Sequence, residues 1–271
     1  MVQTTIVSVV SVKHLADNIL RIEVDRPVGF NFKPGQFARI GINANNDGTS
    51  KIWRAQTIVS RAGEYNSLAF YIIYIEGKPF SDALKKIKSG DEIYLDAVPY
   101  GHFTLDRFDS GGDLWLFSTG TGVAPYLCML QQENIWNNFS TITLVCSFRD
   151  QTQFVYWDTL PLELEKLTDF QSKNYKKFSF IPIYTREKTV SDCIVRGVKK
   201  RNTISREYFE KLITNGELKS ILENSISTIN SKIMLSGNPD MIKTTRDFLK
   251  SLGLRSTRRN NPGHIAVENY W

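Results

Sequence analysis

The sequence GTGVAP at residues 120–125 separates two apolar stretches whose periods differ. The preceding run LWLF, residues 114–117, is continuous and short, which is typical of a buried strand in a parallel sheet. Residues 125–132 predict a helix, and Pro125 suits its first turn, where a missing N–H removes no hydrogen bond. A strand, a glycine turn and a helix N-terminus together favour anionic phosphate, because backbone N–H groups and the helix dipole point at the ligand. An ordinary glycine-rich turn is the alternative interpretation.

The composition is that of a globular protein with room for two domains. The chain has 271 residues, of which 41% are hydrophobic and 23% charged. No apolar stretch reaches the length that a membrane span needs. The first residues lack the basic region and cleavage pattern of a signal peptide and instead predict a strand, so a cytoplasmic location is expected.

Cysteine, histidine and charge exclude several classes of function. The cysteines are odd in number and without a C-x-x-C pair, and the histidines are equally scattered: Cys128, Cys146, Cys193, His14, His102 and His264. No metal site is expected, and redox chemistry would need a bound organic cofactor. The net charge of +6 is spread along the chain, with 13 basic and 11 acidic residues up to position 108 and 21 and 17 after it, which argues against nucleic-acid binding.

Residues 1–108 predict an antiparallel β-barrel domain. Six β-rich runs alternate with turn signals, at residues 5–12, 19–24, 36–42, 52–59, 68–75 and 92–95. Residues 80–87 predict one helix among them, with Ser81 as its cap and residues 88–91 (KSGD) as its stop.

Residues 109–271 predict an α/β domain, and the segment 108–112 (FDSGG) is the expected linker. Strands are expected at 114–118, 141–147, 178–184 and 233–236, and helices at 125–132, 159–167, 205–213 and 239–252. This alternation predicts a Rossmann-like parallel sheet with helices on both faces.

The segment Arg54-Ala55-Gln56-Thr57-Ile58-Val59-Ser60 places an arginine and a hydroxyl residue three positions apart inside a predicted barrel strand. The arginine suits a phosphate and the hydroxyl suits a ring system. A solvated arginine on an exposed strand face is the alternative.

Taken in order, these and later motifs resemble those of the bacterial ferredoxin–NADP+ reductases, also called ferredoxin/flavodoxin reductases. The segment 54–60 is similar to the family's Arg-x-Tyr-Ser flavin motif, and residues 70–73 (FYII) with 77–81 (GKPFS) are similar to its next flavin segment. GTGVAP matches Gly-Thr-Gly-x-x-Pro, residues 236–241 (SGNPDM) match Cys-Gly-Asn-Pro-x-Met, and ENYW at 268–271 matches the bacterial C-terminal pattern. The resemblance runs from about residue 34 to the last residue and implies a Greek-key FAD barrel followed by an NADP(H) domain.

The resemblance implies which residues hold FAD. Arg54 would bind the pyrophosphate, Ser81 would add donors to the same group, and Thr57 would lie near flavin N5. Tyr71 or Phe70 would flank the flavin, and Trp271 would stack on the flavin or its adenine. The remaining implied FAD residues are Ala55, Gln56, Ile72, Gly77, Phe80 and Thr119.

Two positions depart from the family pattern. Gln56 replaces the tyrosine that stacks on the isoalloxazine, which forfeits about 0.5–1.5 kcal/mol and predicts weaker FAD retention or an altered flavin potential. Ser236 replaces the cysteine of the nicotinamide pocket and keeps a hydrogen-bonding group. The implied catalytic residues are Thr57, Ser236 and Glu268, and hydride transfer to flavin N5 would depend mainly on stacking and alignment.

For NADP(H), the resemblance implies Gly120, Thr121, Gly122, Pro125, Asn238 and Met241. Arg149 and Arg186 follow predicted strands and match arginines that bind the 2′-phosphate in the family. Arg196 has the spacing of a third arginine, with Arg201 as its rival. Asp150 beside Arg149 is a feature that favours NAD(H).

The implied reaction passes electrons from NADPH through FAD to a small carrier, ferredoxin or flavodoxin. An acidic carrier would suit a basic cluster formed by Arg255, Arg258 and Arg259 with Lys243 and Arg246, although a solvated basic face explains the cluster equally well. A monomer is expected. The alternatives are an NAD(P)H–flavin reductase of the same superfamily and a non-catalytic nucleotide-binding module.

Overall fold

A computed structural model describes residues 3–16, 18–43, 50–63, 65–150, 175–186, 190–203, 207–258 and 261–269. The chain divides into two compact units by packing. The first comprises residues 1–104 together with 124–132, and the second comprises 105–123 and 133–271. The predicted boundary at residue 108 differs from this division by four residues, and the packing adds the segment Ala124–Gln132 to the first unit.

The first unit contains a six-stranded antiparallel sheet. Its strands are β1 (Thr4–Ala16), β2 (Ile19–Asp25), β3 (Phe37–Asn43), β4 (Lys51–Thr57), β5 (Ser67–Ile73) and β6 (Glu92–Asp96). The order of hydrogen-bonded neighbours is β4-β3-β6-β1-β2-β5. Beyond the end of β4, Ile58 forms an isolated antiparallel bridge with Phe70 of β5, and the Val59 N–H donates to the Ala69 carbonyl at 2.9 Å. The bridge closes the sheet into a barrel, as the sequence predicts.

The barrel interior is filled by inward-facing aliphatic and aromatic side chains, which alternate with outward-facing residues along each strand. Phe30, Ile22, Ile40, Leu68 and Phe70 are among those that are nearly or fully inaccessible to solvent. Burial of such side chains from β1, β2, β3, β5 and β6 fixes the register of these strands.

Helix α1 (Pro79–Leu84) is the helix expected near residue 80, but it begins differently from the prediction. Pro79 supplies a helical φ at the first position, so the preceding Lys78 occupies the N-cap position, without a capping side-chain hydrogen bond. The expectation that Ser81 caps this helix is wrong. Ser81 lies within the first turn, and its Oγ accepts a hydrogen bond from the Ile75 N–H at 3.0 Å.

Helix α2 (Ala124–Leu130) follows the 3₁₀ turn Gly120–Val123, and every one of its residues is buried. Cys128 lies within the barrel core, and the Phe103 and Tyr126 rings are 5.9 Å apart. These contacts explain why a helix that the sequence assigns to the α/β half packs as part of the first unit.

The second unit is built on a seven-stranded mixed sheet. Its strands are β7 (Asp113–Thr119), β8 (Thr141–Phe148), β9 (Phe178–Tyr184), β10 (Val190–Val195), β11 (Val198–Thr203), β12 (Ser231–Gly237) and β13 (Ile265–Asn269). The order is β11-β10-β9-β8-β7-β12-β13. Along the sheet, neighbouring strands pair in parallel from β9 through β8, β7 and β12 to β13. Strand β10, in contrast, pairs antiparallel with both β9 and β11. The Rossmann-like parallel sheet is therefore confirmed, with an antiparallel hairpin at one edge.

Helices cover both faces of this sheet. Helices α4 (Phe209–Thr214), α5 (Glu217–Leu222) and α6 (Pro239–Ser251) pack on the face that carries Trp115 and Phe117. On the other face, Trp136 of α3 (Glu133–Asn138) meets Phe178 edge to face at 5.9 Å. The predicted helix at 159–167 lies outside the described residues. Among the described residues, no helix is long and apolar enough to cross a membrane.

Candidate functional site

Strand β4 carries two polar side chains in a row that is otherwise apolar. Arg54 and Gln56 pair in register with Ile40 and Ala38 of β3, both of which are fully buried in the barrel core. Directly opposed residues share one face of a sheet, so Arg54 and Gln56 continue the inward row of the barrel. Yet Arg54 is exposed and Gln56 is only half-buried. The open polar end of an apolar row suits a ligand that combines a ring system with an anionic group.

The structure brings Arg54 to the start of α1. The Arg54 guanidinium carbon lies 6.0 Å from the centre of the Phe80 ring, and its Nη1 donates to the Trp53 carbonyl at 2.8 Å. Phe80 is the second residue of α1, and Ser81 is the third. The predicted phosphate-binding arginine and the predicted helix turn are thus neighbours in the first unit.

The glycine before α1 serves the backbone conformation. Gly77 has φ +72°, and a Cβ there would meet no atom within 4 Å. Its role is to allow the left-handed turn that leads to Pro79, where a side chain would be strained.

Thr57 ends β4, is 6% exposed and pairs in register with Phe37. Its neighbour Ala55 is on the same outward face and is exposed. The alternation of strand β5 separates the two predicted flanking aromatics: Phe70 and Ile72 belong to the barrel core, and Tyr71 lies on the opposite face, 5% exposed. Tyr71 is therefore the better candidate for a ligand contact. Trp271 lies outside the described residues.

Two glycines allow a close approach of chain segments at the carboxyl end of the parallel sheet. A Cβ on Gly122 would lie 2.5 Å from the Ser236 carbonyl oxygen. A Cβ on Gly237, whose φ is +126°, would lie 2.3 Å from Thr119 Oγ1. The turn after β7 and the end of β12 therefore touch backbone to backbone. In contrast, Gly120 (φ +52°) has open space around it and is needed for its conformation.

Hydrogen bonds hold these two segments together, and we call residues 119–122 and 236–238 the glycine cradle. Thr119 Oγ1 accepts from the Asn238 N–H at 2.9 Å, and Asn238 Oδ1 caps α6 by accepting from the N–H groups of Asp240 and Met241. Met241 packs its side chain against the core of the second unit, so its contribution to the cradle comes from its backbone. Thr121 and Pro125 are both buried at the turn and at the start of α2.

A row of small polar side chains crosses four strands beside this cradle. The register pairs Cys146 of β8 with Ser118 of β7, Ser118 with Ser236 of β12, and Ser236 with Glu268 of β13. Ser118 Oγ and Cys146 Sγ are 2.9 Å apart. Burial raises the pKa of the Cys146 thiol to about 12, although the bond to Ser118 opposes the shift, so this thiol stays protonated.

Ser236 is the chemically unusual member of the row. It is fully buried, and its Oγ has no hydrogen-bond partner among the described residues. An unsatisfied buried hydroxyl costs about 1–3 kcal/mol, which a bound ligand with a polar group offsets. The cradle therefore fits a ligand that presents phosphate to a glycine turn and a hydrogen-bonding group to Ser236. The sequence motifs identified Ser236 and Glu268 but missed Ser118 and Cys146, whose one signal is polarity inside apolar strands.

Arg149 and Arg186 are brought together at the carboxyl ends of β8 and β9. The Arg186 N–H donates to the Arg149 carbonyl at 2.9 Å, and both residues are exposed. Two exposed guanidinium groups on adjacent strand ends suit a phosphate dianion.

The structure does not bring Arg196 to that pair. Arg196 occupies the β10–β11 turn with φ 47°, its N–H donates to Ser179 Oγ at 3.0 Å, and its Nη1 lies 3.7 Å from Glu223 Oε2. Ser179 is at the start of β9, whereas Arg186 follows its end, which is roughly 20 Å away at 3.3 Å per residue. The backbone of Arg201 is in register with that of Asp192 on the hairpin, nearer the carboxyl end of β9 than Arg196 is.

Comparisons with known proteins agree with this geometry. No protein-family model matches the chain. A flavodoxin/ferredoxin–NADP reductase from Buchnera aphidicola is 30% identical over 265 residues, which cover 97% of each chain. A ferredoxin–NADP reductase from Pseudomonas aeruginosa is 29% identical over 96% of this chain and 95% of its own. A crystal structure of a ferredoxin NADP+ reductase from Neisseria gonorrhoeae, with bound FAD and NADP, is 28% identical, covers 99% of both chains and gives a TM-score of 0.83.

An antiparallel barrel with a polar strand end, followed by a parallel sheet with a glycine cradle, defines a class of two-domain oxidoreductases that use dinucleotides. The relatives resolve that class further. The chain belongs to the flavodoxin/ferredoxin–NADP reductase family.

Proposed function

We propose that this protein is an FAD-dependent oxidoreductase that carries electrons between NADPH and a one-electron carrier, ferredoxin or flavodoxin. The observation that carries the proposal is the match of nearly the whole chain to a flavodoxin/ferredoxin–NADP reductase at 30% identity. Bound FAD would supply the chemistry that couples a two-electron hydride donor to a one-electron acceptor.

In this proposal, the first unit binds FAD. Arg54 and the first turn of α1 hold the pyrophosphate, because a guanidinium group and helix N–H groups are matched to phosphate oxygens. Thr57 presents its hydroxyl at the end of β4 toward the flavin ring, and Tyr71 flanks the ring. The inward positions of Arg54 and Gln56 support this assignment, since they are polar where the barrel row opens to solvent. Trp271 is assigned to stacking by the family resemblance alone.

The second unit binds NADP(H). The turn Gly120–Val123 receives the pyrophosphate, and the buried hydroxyl of Ser236 donates a hydrogen bond to the nicotinamide end. Glu268, in register with Ser236, orients the reacting rings or exchanges a proton with them. Arg149 and Arg186 bind the 2′-phosphate, with Arg201 rather than Arg196 as the third arginine. A single chain carries all these residues, so a monomer suffices.

The proposed carrier is an acidic protein that docks on exposed basic residues of the second unit. Arg255 and Arg258 are exposed on the loop after α6, and Lys243 is exposed on α6 itself. Arg246 Nε lies 3.3 Å from Asp247 Oδ1, and this carboxylate offsets part of the positive charge of Arg246. Arg259 lies outside the described residues. Surface charges of this kind speed the encounter of partners more than they tighten the complex.

The deciding experiment is anaerobic titration of the purified protein with NADPH. We expect a yellow protein whose visible flavin absorption bleaches with one equivalent of NADPH. A colourless protein that cannot be loaded with FAD, or a flavin that NADPH leaves oxidised, would refute the oxidoreductase assignment.

A second experiment identifies the acceptor. Purified ferredoxin, flavodoxin and free FMN are compared as electron acceptors at equal concentrations. We expect the two proteins to be reduced faster than free FMN, whereas a preference for free FMN would identify a flavin reductase instead.

A further inference from the structure

A hydrogen bond joins the end of helix α2 to the segment that follows β4. Gln131 is 7% exposed, and its Nε2 donates to the Val59 carbonyl at 2.8 Å and to the Leu127 carbonyl at 2.8 Å. Both acceptors are backbone oxygens. The side chain therefore bridges the last turn of α2 and the chain two residues beyond Thr57.

A second hydrogen bond to this segment comes from a residue one turn earlier on the same helix. The Cys128 thiol donates to the Ser60 carbonyl at 3.1 Å and is completely buried in the barrel core. Burial raises the pKa of Cys128 to about 12, so the thiol keeps the proton that it donates. Helix α2 thus holds two successive carbonyls, those of Val59 and Ser60.

The segment 58–60, which contains Val59 and Ser60, is also held by hydrogen bonds from two other directions. The Ile58 N–H donates to the Gln36 carbonyl at 3.2 Å, next to β3, and the Val59 N–H donates to the Ala69 carbonyl of β5 at 2.9 Å. Ser60 Oγ accepts from the Ala69 N–H at 3.1 Å. The segment 58–60 is the point where β3, β5 and α2 meet, and it continues directly from Thr57.

We propose that Gln131 is a positioning residue for Thr57, an inference that rests on the proposed function. Helix α2 emerges from the glycine turn at Val123, and Gln131 ties the far end of that helix to the carbonyl of Val59. Within the first unit, the amide therefore holds helix α2 against the chain that carries the Thr57 hydroxyl. Alignment at the scale of 1 Å decides hydride-transfer rates, so loss of this bridge lowers the rate.

The adjacent Gln132 supplies a matched control. Its Nε2 donates to the carbonyl four residues earlier, Cys128, at 3.0 Å, as Gln131 does to Leu127. Unlike Gln131, however, Gln132 makes no bond to Val59. Each of the variants Gln131→Met and Gln132→Met thus loses one side-chain bond to the carbonyl four residues earlier. Only Gln131→Met also loses the bond to the Val59 carbonyl.

The test measures both FAD-loaded variants beside the wild-type protein. For Gln131→Met we expect faster amide hydrogen exchange at residues 58–60, a shifted flavin absorption band, and a kcat for NADPH-dependent ferricyanide reduction lowered about tenfold. The KM for NADPH should stay within about a factor of two, because uniform binding is retained. Gln132→Met should match the wild type in all four measurements.

Gln131→Glu guards against a variant that fails to fold. A protonated carboxyl donates to Val59 as the amide does, whereas a carboxylate repels that carbonyl, so we expect kcat to recover as the pH is lowered. If Gln131→Met loses thermal stability but keeps the wild-type kcat, exchange and flavin band, the positioning role is refuted. A wild-type protein that NADPH cannot reduce refutes the proposed function instead, so the two failures are distinguishable.

Discussion

Two single residues on β4 set this strand apart from the rest of the barrel. Two inward positions of the strand, 54 and 56, are occupied by arginine and glutamine, although their partners on β3 are buried apolar residues. At each of these positions, a polar side chain stands where core packing alone would favour an apolar one.

The first prediction concerns the aromatic ring that position 56 lacks. Gln56→Tyr should tighten FAD binding by about 0.5–1.5 kcal/mol, or roughly two- to tenfold, because a ring stacks on the flavin where an amide does not. Fluorescence titration of the FAD-free protein with FAD measures the dissociation constant. Gln36→Tyr is not a suitable control, because the Gln36 side chain donates a hydrogen bond to the Gly101 carbonyl. Equal affinity and an unchanged flavin potential would contradict the prediction.

The arginine assignments make a second prediction. Arg186→Ala should raise the KM for NADPH roughly tenfold or more and leave the KM for NADH unchanged, because a charge-assisted bond to the 2′-phosphate contributes about 1.5–3 kcal/mol. Arg196→Ala is the matched control, since Arg196 lies at the other end of β9 and pairs with Glu223. A larger effect of Arg196→Ala on NADPH than on NADH would reverse the assignment.

At the scale of elements, polar contacts join β2 and β5 on the outside of the barrel. Burial alone would raise the pKa of Glu23, but its carboxylate accepts from Ser67 Oγ at 2.5 Å and from Arg21 Nη1 at 2.6 Å, and together with the nearby positive charges these bonds lower the pKa. A carboxyl group whose pKa is lowered on folding stabilises the fold above its unfolded pKa and loses that contribution as the pH falls through the folded value.

Glu23→Gln should therefore destabilise the protein by about 1 kcal/mol at neutral pH, and the difference from the wild type should shrink below about pH 4. Urea unfolding at a series of pH values measures it. The exposed Glu92 of β6 provides a control in Glu92→Gln, which should change the free energy of unfolding little at neutral pH. A pH-independent difference for Glu23→Gln would show that shape, not charge, explains the loss.

The elements that the sequence predicts are those with a strong local period. All six barrel strands and the strands β7, β8, β9 and β12 fall where apolar runs place them. The β10–β11 hairpin and β13 escaped prediction because their residues are polar or short of apolar alternation, and their stability comes from pairing at the edges of an existing sheet. Helix boundaries differ by a few residues, as with α4, which begins at Phe209 instead of 205.

The candidate site, like the fold, could be predicted from the sequence only in part. Its glycine turns and charged residues were readable as motifs because phosphate recognition needs particular backbone shapes and charges at short spacing. The register of Ser118, Ser236 and Glu268, and the bond from Gln131 to Val59, depend on contacts between residues far apart in sequence. No local pattern encodes such contacts, and for the same reason the sequence leaves the choice between Arg196 and Arg201 open.

For the whole molecule, charge links the fold to its proposed partner. The net charge of +6 and the exposed Arg255 and Arg258 favour an acidic carrier. The double variant Arg255→Glu/Arg258→Glu should slow ferredoxin or flavodoxin reduction about tenfold at low salt, with a smaller effect at high salt, because the attraction is screened. Stopped-flow mixing measures the rates.

Ferricyanide reduction by the same double variant should stay unchanged, since a small anion needs no docking surface. Lys219→Glu, on an exposed position of α5, tests whether any reversal of charge has the same effect. Equal losses with the carrier and with ferricyanide would count against docking at this loop.

The burial of the three cysteines gives the molecule built-in reporters of opening. Cys128 lies in the first unit, whereas Cys146 and Cys193 lie in the second, and all three are buried as free thiols. A thiol-reactive dye should leave the native protein unlabelled, and mass spectrometry of partly labelled protein should then reveal which unit opens first. Covalent tagging during gentle warming would thus rank the local stabilities of the barrel and the parallel sheet without any engineered probe.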